Sequence, residues 1–573
     1  MTIQAPWLRF FGDVPHHLDY PDCSMSALVL ETTKTYTSTV ALDFFGCRTT
    51  YGELANEINA CARALSAIGI RPDDRVTVCM PNTPQALVFF YAINRVGAVA
   101  NMVHPLSAAE ELVFFLNSSN SVAALTLDQF YPTLAPITHR TKLKTLIVSG
   151  IEDGLNGYRK AAYRLSKGRK KKRVPTGGIV LRWEDFLERG RDAKPEYPTR
   201  QGGDLAAILY SGGTTGTMKG ILLTNRNFNA LALQTGAAGN CIVPGHKMLA
   251  IMPIFHGFGL GVCIHTMLTH GVTGILVPQF TVAGYLKLLK KYKPHYIAGV
   301  PTLFEALLRI DGLEKLDMSQ LEGVFCGGDT LPVALKRKVD AFLKAHGATV
   351  QVREGYGLTE CVTASCLTPH DDYREGSIGI PFPDMYYKIV RPGTAEPLPP
   401  GEIGEICLTG PTVMVGYADH PSETDQALQR HPDGAVWLHT GDLGMMDHDG
   451  FVYFRQRIKR LIISSGYSIY PSQLENAINA HEKVLTCCVI GVEDPYKMQR
   501  VKAFVVMRDS LHATDDVKAS ILEHCRKHIA RYAMPFEIEY RAMLPKTLVG
   551  KVAYTVLERE EAEKTASSRQ TNP

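Results

Sequence analysis

Between Ser211 and Gly220 the chain places four glycines, four hydroxyl residues and one lysine in ten positions: Ser211-Gly212-Gly213-Thr214-Thr215-Gly216-Thr217-Met218-Lys219-Gly220. The apolar run Ile208-Leu209-Tyr210 precedes them. Such a segment can wrap phosphates. Glycines let the backbone approach an anion and turn its N–H groups toward it, hydroxyls donate further hydrogen bonds, and Lys219 adds a point charge. The spacing is not that of the G-x4-G-K-[ST] nucleotide loop, because two residues separate Gly216 from Lys219 and a glycine follows the lysine. Taken alone, the loop also reads as a flexible Gly/Thr turn. A second chemical anomaly is Tyr158–Val174, where Arg159, Lys160, Arg164, Lys167, Arg169, Lys170, Lys171, Lys172 and Arg173 stand without an acid among them. It reads as a solvated surface loop or as a patch that docks on an anionic membrane surface.

The elements around the loop follow an α/β pattern. Arg75–Met80 is a short β-rich run, and Pro84–Val96 is an apolar-periodic helix. The alternation resumes with strand-like runs at Met248–Pro253, Thr273–Val277, Tyr296–Val300 and Gly323–Phe325, separated by helical patterns at Val282–Lys291 and Val333–His346. A largely parallel sheet layered with helices is the economical reading. Near the end, Gly450–Ile463 reads as strand, basic turn, strand. Pro471–Ala480 reads as a helix, Cys487–Val492 and Val501–Val506 as strands, and Arg559–Pro573 as a polar, fraying tail. The expected organisation is a large α/β N-terminal domain over 1–457, a small mobile α+β domain over 458–558 and the tail over 559–573.

A chain of 573 residues exceeds what one core usually supports. Its 61 basic and 57 acidic residues, formal charge +4, are too balanced for a nucleic-acid binder. The first twenty residues hold Arg9, Asp13, His16, His17 and Asp19, unlike a secretory leader, and Arg95 and Asn101 cut the most apolar stretches short of the roughly 20 residues of a membrane span. Thirteen scattered Cys without paired CxxC spacing read as buried thiols of a cytoplasmic protein. The expected location is the cytoplasm, with peripheral contact at the inner face of the membrane if the basic segment docks there. The sequence specifies no oligomeric state.

With the motifs that follow it, the loop resembles the T-S-G-T-T-G-x-P-K-G signature of the adenylate-forming enzymes, which include acyl-CoA synthetases, 4-coumarate:CoA ligases, luciferases and peptide-synthetase adenylation domains. Gly212 stands where Ser is common and Met218 where Pro is common. The Gly-Gly-Thr-Thr-Gly form is similar to that of bacterial long-chain fatty acyl-CoA synthetases. Further motifs keep the family's order from about Tyr51 to Tyr554. Arg353-Glu354-Gly355-Tyr356-Gly357-Leu358-Thr359-Glu360 resembles the Y-G-x-T-E element. This implies that Tyr356, between Gly355 and Gly357, stacks on adenine, that Thr359 meets the α-phosphate, and that Glu360 holds Mg²⁺, with Thr215 a second candidate ligand. Hard cations take carboxylate oxygen, which suits Glu360.

The remaining motifs resemble the same family. Gly327 and Gly328 would let backbone approach the acyl carboxylate and adenine, while Asp329, where relatives carry Ala or Glu, would cap or touch adenine without a catalytic role. Trp437-Leu438-His439-Thr440-Gly441-Asp442 resembles W-x-x-T-G-D, whose Asp442 would chelate the ribose hydroxyls. In Arg457-Ile458-Lys459, Arg457 would contact ribose or phosphate and Lys459 would be the interdomain pivot; Gln456 replaces a common Asp. Ser465 and Gly466 would line the CoA tunnel. Lys551, in Leu544-Pro545-Lys546-Thr547-Leu548-Val549-Gly550-Lys551, would stabilise charge during adenylation. In Pro253–Gly261, His256 would gate the acid site, and Gly257, Gly259 and Gly261 would either leave volume for an alkyl chain or pack a helix tightly.

The resemblance implies ATP-dependent conversion of a carboxylic acid, most economically a medium- or long-chain fatty acid, to acyl-AMP and then to acyl-CoA, with Mg²⁺ and CoA. An aryl or bile-type acid:CoA ligase, an adenylation enzyme loading a carrier protein, and an inactive ATP or acyl binder are the alternatives.

Overall fold

The computed structural model describes residues 5–166, 174–211, 218–309, 312–313, 316–464, 467–494, 496–510, 513–547 and 551–570. Short β-branched runs bury on both faces, as parallel strands covered by helices must. Ala123–Leu127 is buried at every residue, as are Tyr296–Gly299 and Gly323–Cys326.

Among the described residues these runs form two large sheets. The eight-stranded one is ordered Gly416–Tyr417, Lys219–Thr224, Leu205–Ser211, Val99–Met102, Arg75–Cys79, Ala123–Leu127, Thr145–Ser149, Val180–Arg182. It is parallel from Leu205–Ser211 onward and antiparallel at its first two strands. The nine-stranded one is parallel from Val352–Tyr356 through Gly323–Cys326, Tyr296–Gly299, Lys247–Ala250 and Thr273–Leu276 to Val40–Phe44, with antiparallel strands beyond both ends.

One hydrophobic core joins the two sheets. The helix Pro84–Arg95 lies in it with Phe89, Phe90, Tyr91 and Ile93 at most 1% exposed. Its start is set by Thr83, whose hydroxyl accepts from Ala86 N, and by Pro84 in the first turn, where no N–H is needed. The helix Tyr51–Ala67 begins with a reciprocal capping box between Thr50 and Glu53. The Asn82 amide donates to the carbonyls of Ala250 and Met252 and so ties the two sheets at their ligand-presenting ends.

Two five-stranded sheets, one antiparallel and one mixed, complete the fold. One contains Tyr386–Val390, Gly404–Thr409, Val436–Met446, Leu428–Arg430 and Val452–Arg457. The other is centred on Met498–Met507, which pairs with Ile462–Ser464, Val484–Asp494 and, in parallel, with Glu537–Tyr540. Its helices Pro471–Asn479 and Asp515–Arg526 cover a separate core of Ile462, Ile478, Val505 and Ile521.

The tail departs from expectation. Instead of fraying from Arg559, the chain is helical over Tyr554–Gln570. Leu557 is fully buried, and Glu561 reaches the buried Lys502 at 2.9 Å. Polar composition alone misread it, because its acids have partners on another strand. Among the described residues no helix is long and apolar enough to cross a membrane. All thirteen cysteines are free, and all but Cys23 and Cys241 are buried.

Candidate active site

The Gly/Thr loop closes a hairpin. Leu205–Ser211 and Lys219–Thr224 pair antiparallel, with Ser211 opposite Lys219. Gly212, Gly213, Thr214, Thr215 and Gly216 lie outside the described residues, so the frame is seen and the tip is not. Tyr210 anchors the hairpin, its hydroxyl donating to Asn101 Oδ1 at 2.8 Å. Lys219 Nζ stands 3.7 Å from Glu423 and 5.1 Å above the Tyr417 ring.

Tyr356 ends the strand Val352–Tyr356, and Gly357 follows where a Cβ would lie 1.9 Å from Thr363 O, so no other residue fits. The Tyr356 hydroxyl donates to Asp442 Oδ2 at 2.7 Å. Asp442, 1% exposed, sits in the strand Val436–Met446 just after Gly441, whose φ of +70° lets the strand turn its carboxylate inward. Arg457 Nε lies 3.1 Å from Asp442 Oδ1 as an ion pair without hydrogen-bond alignment, which leaves that oxygen's acceptor sites open. Burial raises the Asp442 carboxyl above the usual range, while Arg457 pulls it back. An open acceptor beside an aromatic ring suits a vicinal diol next to a purine.

Thr359 and Glu360 share the turn Thr359–Cys361. Tyr417 donates its hydroxyl to Glu360 Oε1 at 2.9 Å and leaves Oε2 without a hydrogen bond among the described residues. A half-buried carboxylate with one oxygen steadied and one open fits a hard cation such as Mg²⁺. Sequence reasoning missed Tyr417. It lies some sixty residues from Glu360 and reaches it only because Gly416–Tyr417 pairs with Lys219–Thr224.

Lys551 comes from the small unit yet stands at the large domain's strand ends. Its Cε is 3.8 Å from where a Cβ would sit on Gly328, a residue in the left-handed region at φ +80°. Its backbone N donates to Thr547 Oγ1, and Thr547 N donates to Lys551 O. Burial lowers the Lys551 ammonium pKa; Asp329, Asp442 and Glu360 raise it, Asp329 most. Burial raises the Asp329 carboxyl and Lys551 counters it. The pair sits in one cleft, a placement that the Gly327-Gly328-Asp329 motif alone left as cap or adenine contact. His256 is held neutral, its pKa pushed down to about 3 by burial and by the Lys551 charge, and its Nδ1 accepts from Phe258 N at 3.2 Å.

The segment after His256 is a π-helix, Phe258–Thr266. Such wide turns are uncommon and cluster at functional sites. Here the two readings of the glycines separate. A Cβ on Gly257 would meet Val362 O at 1.7 Å, one on Gly259 would meet Pro253 O at 2.0 Å, and one on Gly261 would meet Leu231 Cδ2 at 2.6 Å. Their space is filled by backbone and side chain rather than open for an alkyl group. An apolar cavity instead lies beside them, lined by Phe258, Val262, Phe325, Leu367 and Phe382 together with Gly327, Gly328 and Gly355.

At the junction of the two units, Lys459 is exposed in the turn Ile458–Arg460, after the strand that ends at Arg457. Gln456 is buried, and neither its amide N nor its O has a hydrogen-bond partner among the described residues. Ser465 and Gly466 lie outside the described residues.

A buried carboxylate beside a tyrosine face, the hairpin strands that flank the Gly/Thr loop and a lysine carried in from a separate unit define a two-domain nucleotide-dependent enzyme. The AMP-binding enzyme profile matches residues 30–418, more than half of the chain, and the AMP-binding enzyme C-terminal domain profile matches residues 473–551. The chain therefore belongs to the AMP-binding enzyme family and carries both of its domains. It is 32% identical to a long-chain-fatty-acid–CoA ligase of Bacillus subtilis (strain 168), over 98% of this chain and 99% of that protein. It is 33% identical to one of Salmonella typhimurium (strain LT2), over 95% and 96%. Its fold also matches ATP-bound MatB from Rhodopseudomonas palustris at a TM-score of 0.80 with 26% identity, over 93% of this chain and 98% of that one.

Proposed function

We propose that this chain activates a medium- or long-chain fatty acid as its acyl-adenylate and transfers the acyl group to CoA. The observation that carries the reading is Lys551, which stands against Gly328, a residue that lines the apolar cavity, and close enough to the neutral His256 for its charge to act on that imidazole. A carboxylate is a poor electrophile because its leaving group would be oxide. Attack of a carboxylate oxygen on the α-phosphorus of ATP expels pyrophosphate and gives a mixed anhydride. The CoA sulfur then attacks the acyl carbon and AMP leaves with the bond electrons.

Positioning and charge stabilisation do the work. Tyr356 supports adenine, Asp442 accepts from the ribose hydroxyls, and Arg457 reaches the ribose or phosphate. Ser211, the loop Gly212–Gly216 and Lys219 hold the β- and γ-phosphates, and Thr359 meets the α-phosphate. Glu360, with Thr215 as a further ligand, would hold Mg²⁺, which supplies charge neutralisation on the phosphates. Lys551 stabilises charge on the reacting oxygens. His256 gates the acid site as a neutral imidazole, so it repels neither Lys551 nor a bound cation. Rotation about Lys459, at the boundary of 1–457 and 458–558, withdraws Lys551 and opens the tunnel at Ser465 and Gly466 to CoA.

The fatty-acid assignment is supported by the apolar lining of the cavity and by the names of the relatives. A panel of fatty, aryl and bile-type acids with ATP and CoA tests it, with pyrophosphate release and thioester formation as readouts and Lys551→Ala as control. Fatty acids should be turned over fastest, and the control should lose adenylation by about 100-fold or more; faster turnover of aryl acids would overturn the assignment. The basic segment supports peripheral membrane docking. Its described part, the helix Gly157–Ser166, exposes Tyr158 and Leu165 beside Arg159 and Lys160, and Lys167–Arg173 lie outside the described residues. Co-sedimentation with anionic vesicles, lost when Lys170, Lys171 and Lys172 become Ala, is the expected outcome.

A further inference from the structure

We propose that Cys407, His431 and His439 form a binding site for one zinc-class divalent ion, beside the strand that presents Asp442. None of these residues takes part in the chemistry above. Cys407 and His439 face each other across the antiparallel pair Gly404–Thr409 and Val436–Met446. His431 follows the third strand, Leu428–Arg430, and opens the turn in which its N–H bonds Ala435 O. One ligand atom from each of the three lies within 4.8 Å of the other two. Cys407 is 0% exposed, His431 3%, and the His439 side chain 6%, so the cluster is enclosed.

The hydrogen bonds around it are ordered as they are around bound metals. Glu405 Oε2 lies 2.9 Å from His439 Nδ1, so that nitrogen carries the proton and the Nε2 lone pair points into the cluster. A carboxylate behind a histidine in this way fixes the tautomer and raises the ligand's basicity. His431 Nε2 is 2.9 Å from His439 Nε2. Without an ion, His431 must donate there, and its Nδ1 then remains an unprotonated lone pair. That Nδ1 is buried and has no hydrogen-bond partner among the described residues. A simple histidine pair explains the two Nε2 atoms; it leaves the buried Cys407 thiol, whose sulfur lies within 4.8 Å of the imidazole ligand atoms, without a role.

One thiolate and two imidazoles are the donor set of a borderline-soft ion, and three protein ligands leave a fourth position for water. Tetrahedral bonds of about 2.3 Å to sulfur and about 2.0 Å to nitrogen place the ligand atoms about 3.3–3.6 Å apart. The cluster would need to contract by about 1 Å on its longest edge and to open slightly between the two imidazoles. Binding releases the Cys407 thiol proton to solvent and forms the metal–sulfur bond in its place. Glu405 links the cluster to the nucleotide site, since its other oxygen accepts Gly441 N at 3.0 Å, one residue before Asp442. An ion on His439 would therefore stiffen the turn that aims Asp442.

The test uses the full chain with any affinity tag removed, stripped by chelator and titrated with Zn²⁺ and Co²⁺. We expect one ion per chain by elemental analysis, a cobalt–thiolate charge-transfer band with tetrahedral visible bands, and a higher Tm on adding Zn²⁺. Cys407→Ser and His431→Gln should each weaken binding at least about tenfold and remove the Tm rise, with unchanged circular dichroism showing that the variants fold. Absence of stoichiometric binding, cobalt binding without the thiolate band, or equal binding by both variants would overturn the proposal.

Discussion

Lys551 carries its charge into a cleft where burial alone favours the neutral amine, and Asp329 is the largest influence restoring the ammonium. The sign of an Asp329→Asn change follows. Removing the negative charge lowers the folded pKa of Lys551, so the protonated fraction falls at a lower pH and the alkaline limb of pyrophosphate release moves down. A pH–rate profile of adenylation measures this, and an unmoved limb would remove Asp329 from its role. Tyr417→Phe acts at Glu360. Loss of the 2.9 Å hydrogen bond leaves the carboxylate unsteadied, and the Mg²⁺ concentration for half-maximal rate should rise by about tenfold, the worth of one hydrogen bond to a charged group. Magnesium titration at saturating ATP reads it. Tyr417 was not visible in the sequence as a functional group, and Asp329 was read there only as a cap or adenine contact, because each acts through a partner far along the chain.

At the scale of elements, the π-helix Phe258–Thr266 depends on residues with no side chain. Gly259→Ala would drive a methyl group into Pro253 O, and since backbone cannot give way as a flexible side chain does, we expect at least about 1–3 kcal/mol of destabilisation. The measurement is Tm together with fatty-acid KM; a normal Tm would mean that the wide helix tolerates the methyl. The glycine spacing announced this feature without deciding its meaning, because the atoms that fill the space belong to Pro253 and Val362. Strands were legible where short β-branched or apolar runs are buried, as Val76–Cys79 and Tyr296–Gly299 show, since parallel strands covered on both faces favour such residues. The helix Tyr554–Gln570 was not legible, because it is tied down by the single buried Leu557 and by cross-element pairing with Lys502 and Arg541 rather than by a long apolar stripe.

Across the whole molecule, that last helix fastens the small unit to itself. Lys502, 3% exposed, holds Glu537 at 3.2 Å, Glu539 at 2.8 Å and Glu561 at 2.9 Å. Lys502→Met would leave three carboxylates around an apolar stem, at a cost on the order of 3 kcal/mol, and should release Tyr554–Gln570 to limited proteolysis before the large domain yields. Proteolysis of both units at one rate would count against it. In the proposed second step the same small unit leaves its place when the thiol arrives, and the strand before the hinge bears on that motion. With Lys551 seated, Gln456 is shut away with both ends of its amide unanswered among the described residues, and Arg455 Nε beside it is unpaired among them as well. Each such group costs about 1–3 kcal/mol when sealed from water. On the proposed rotation about Lys459, the strand that leads into the hinge therefore holds unpaired groups in reserve, and turning them toward water would favour the rotated form.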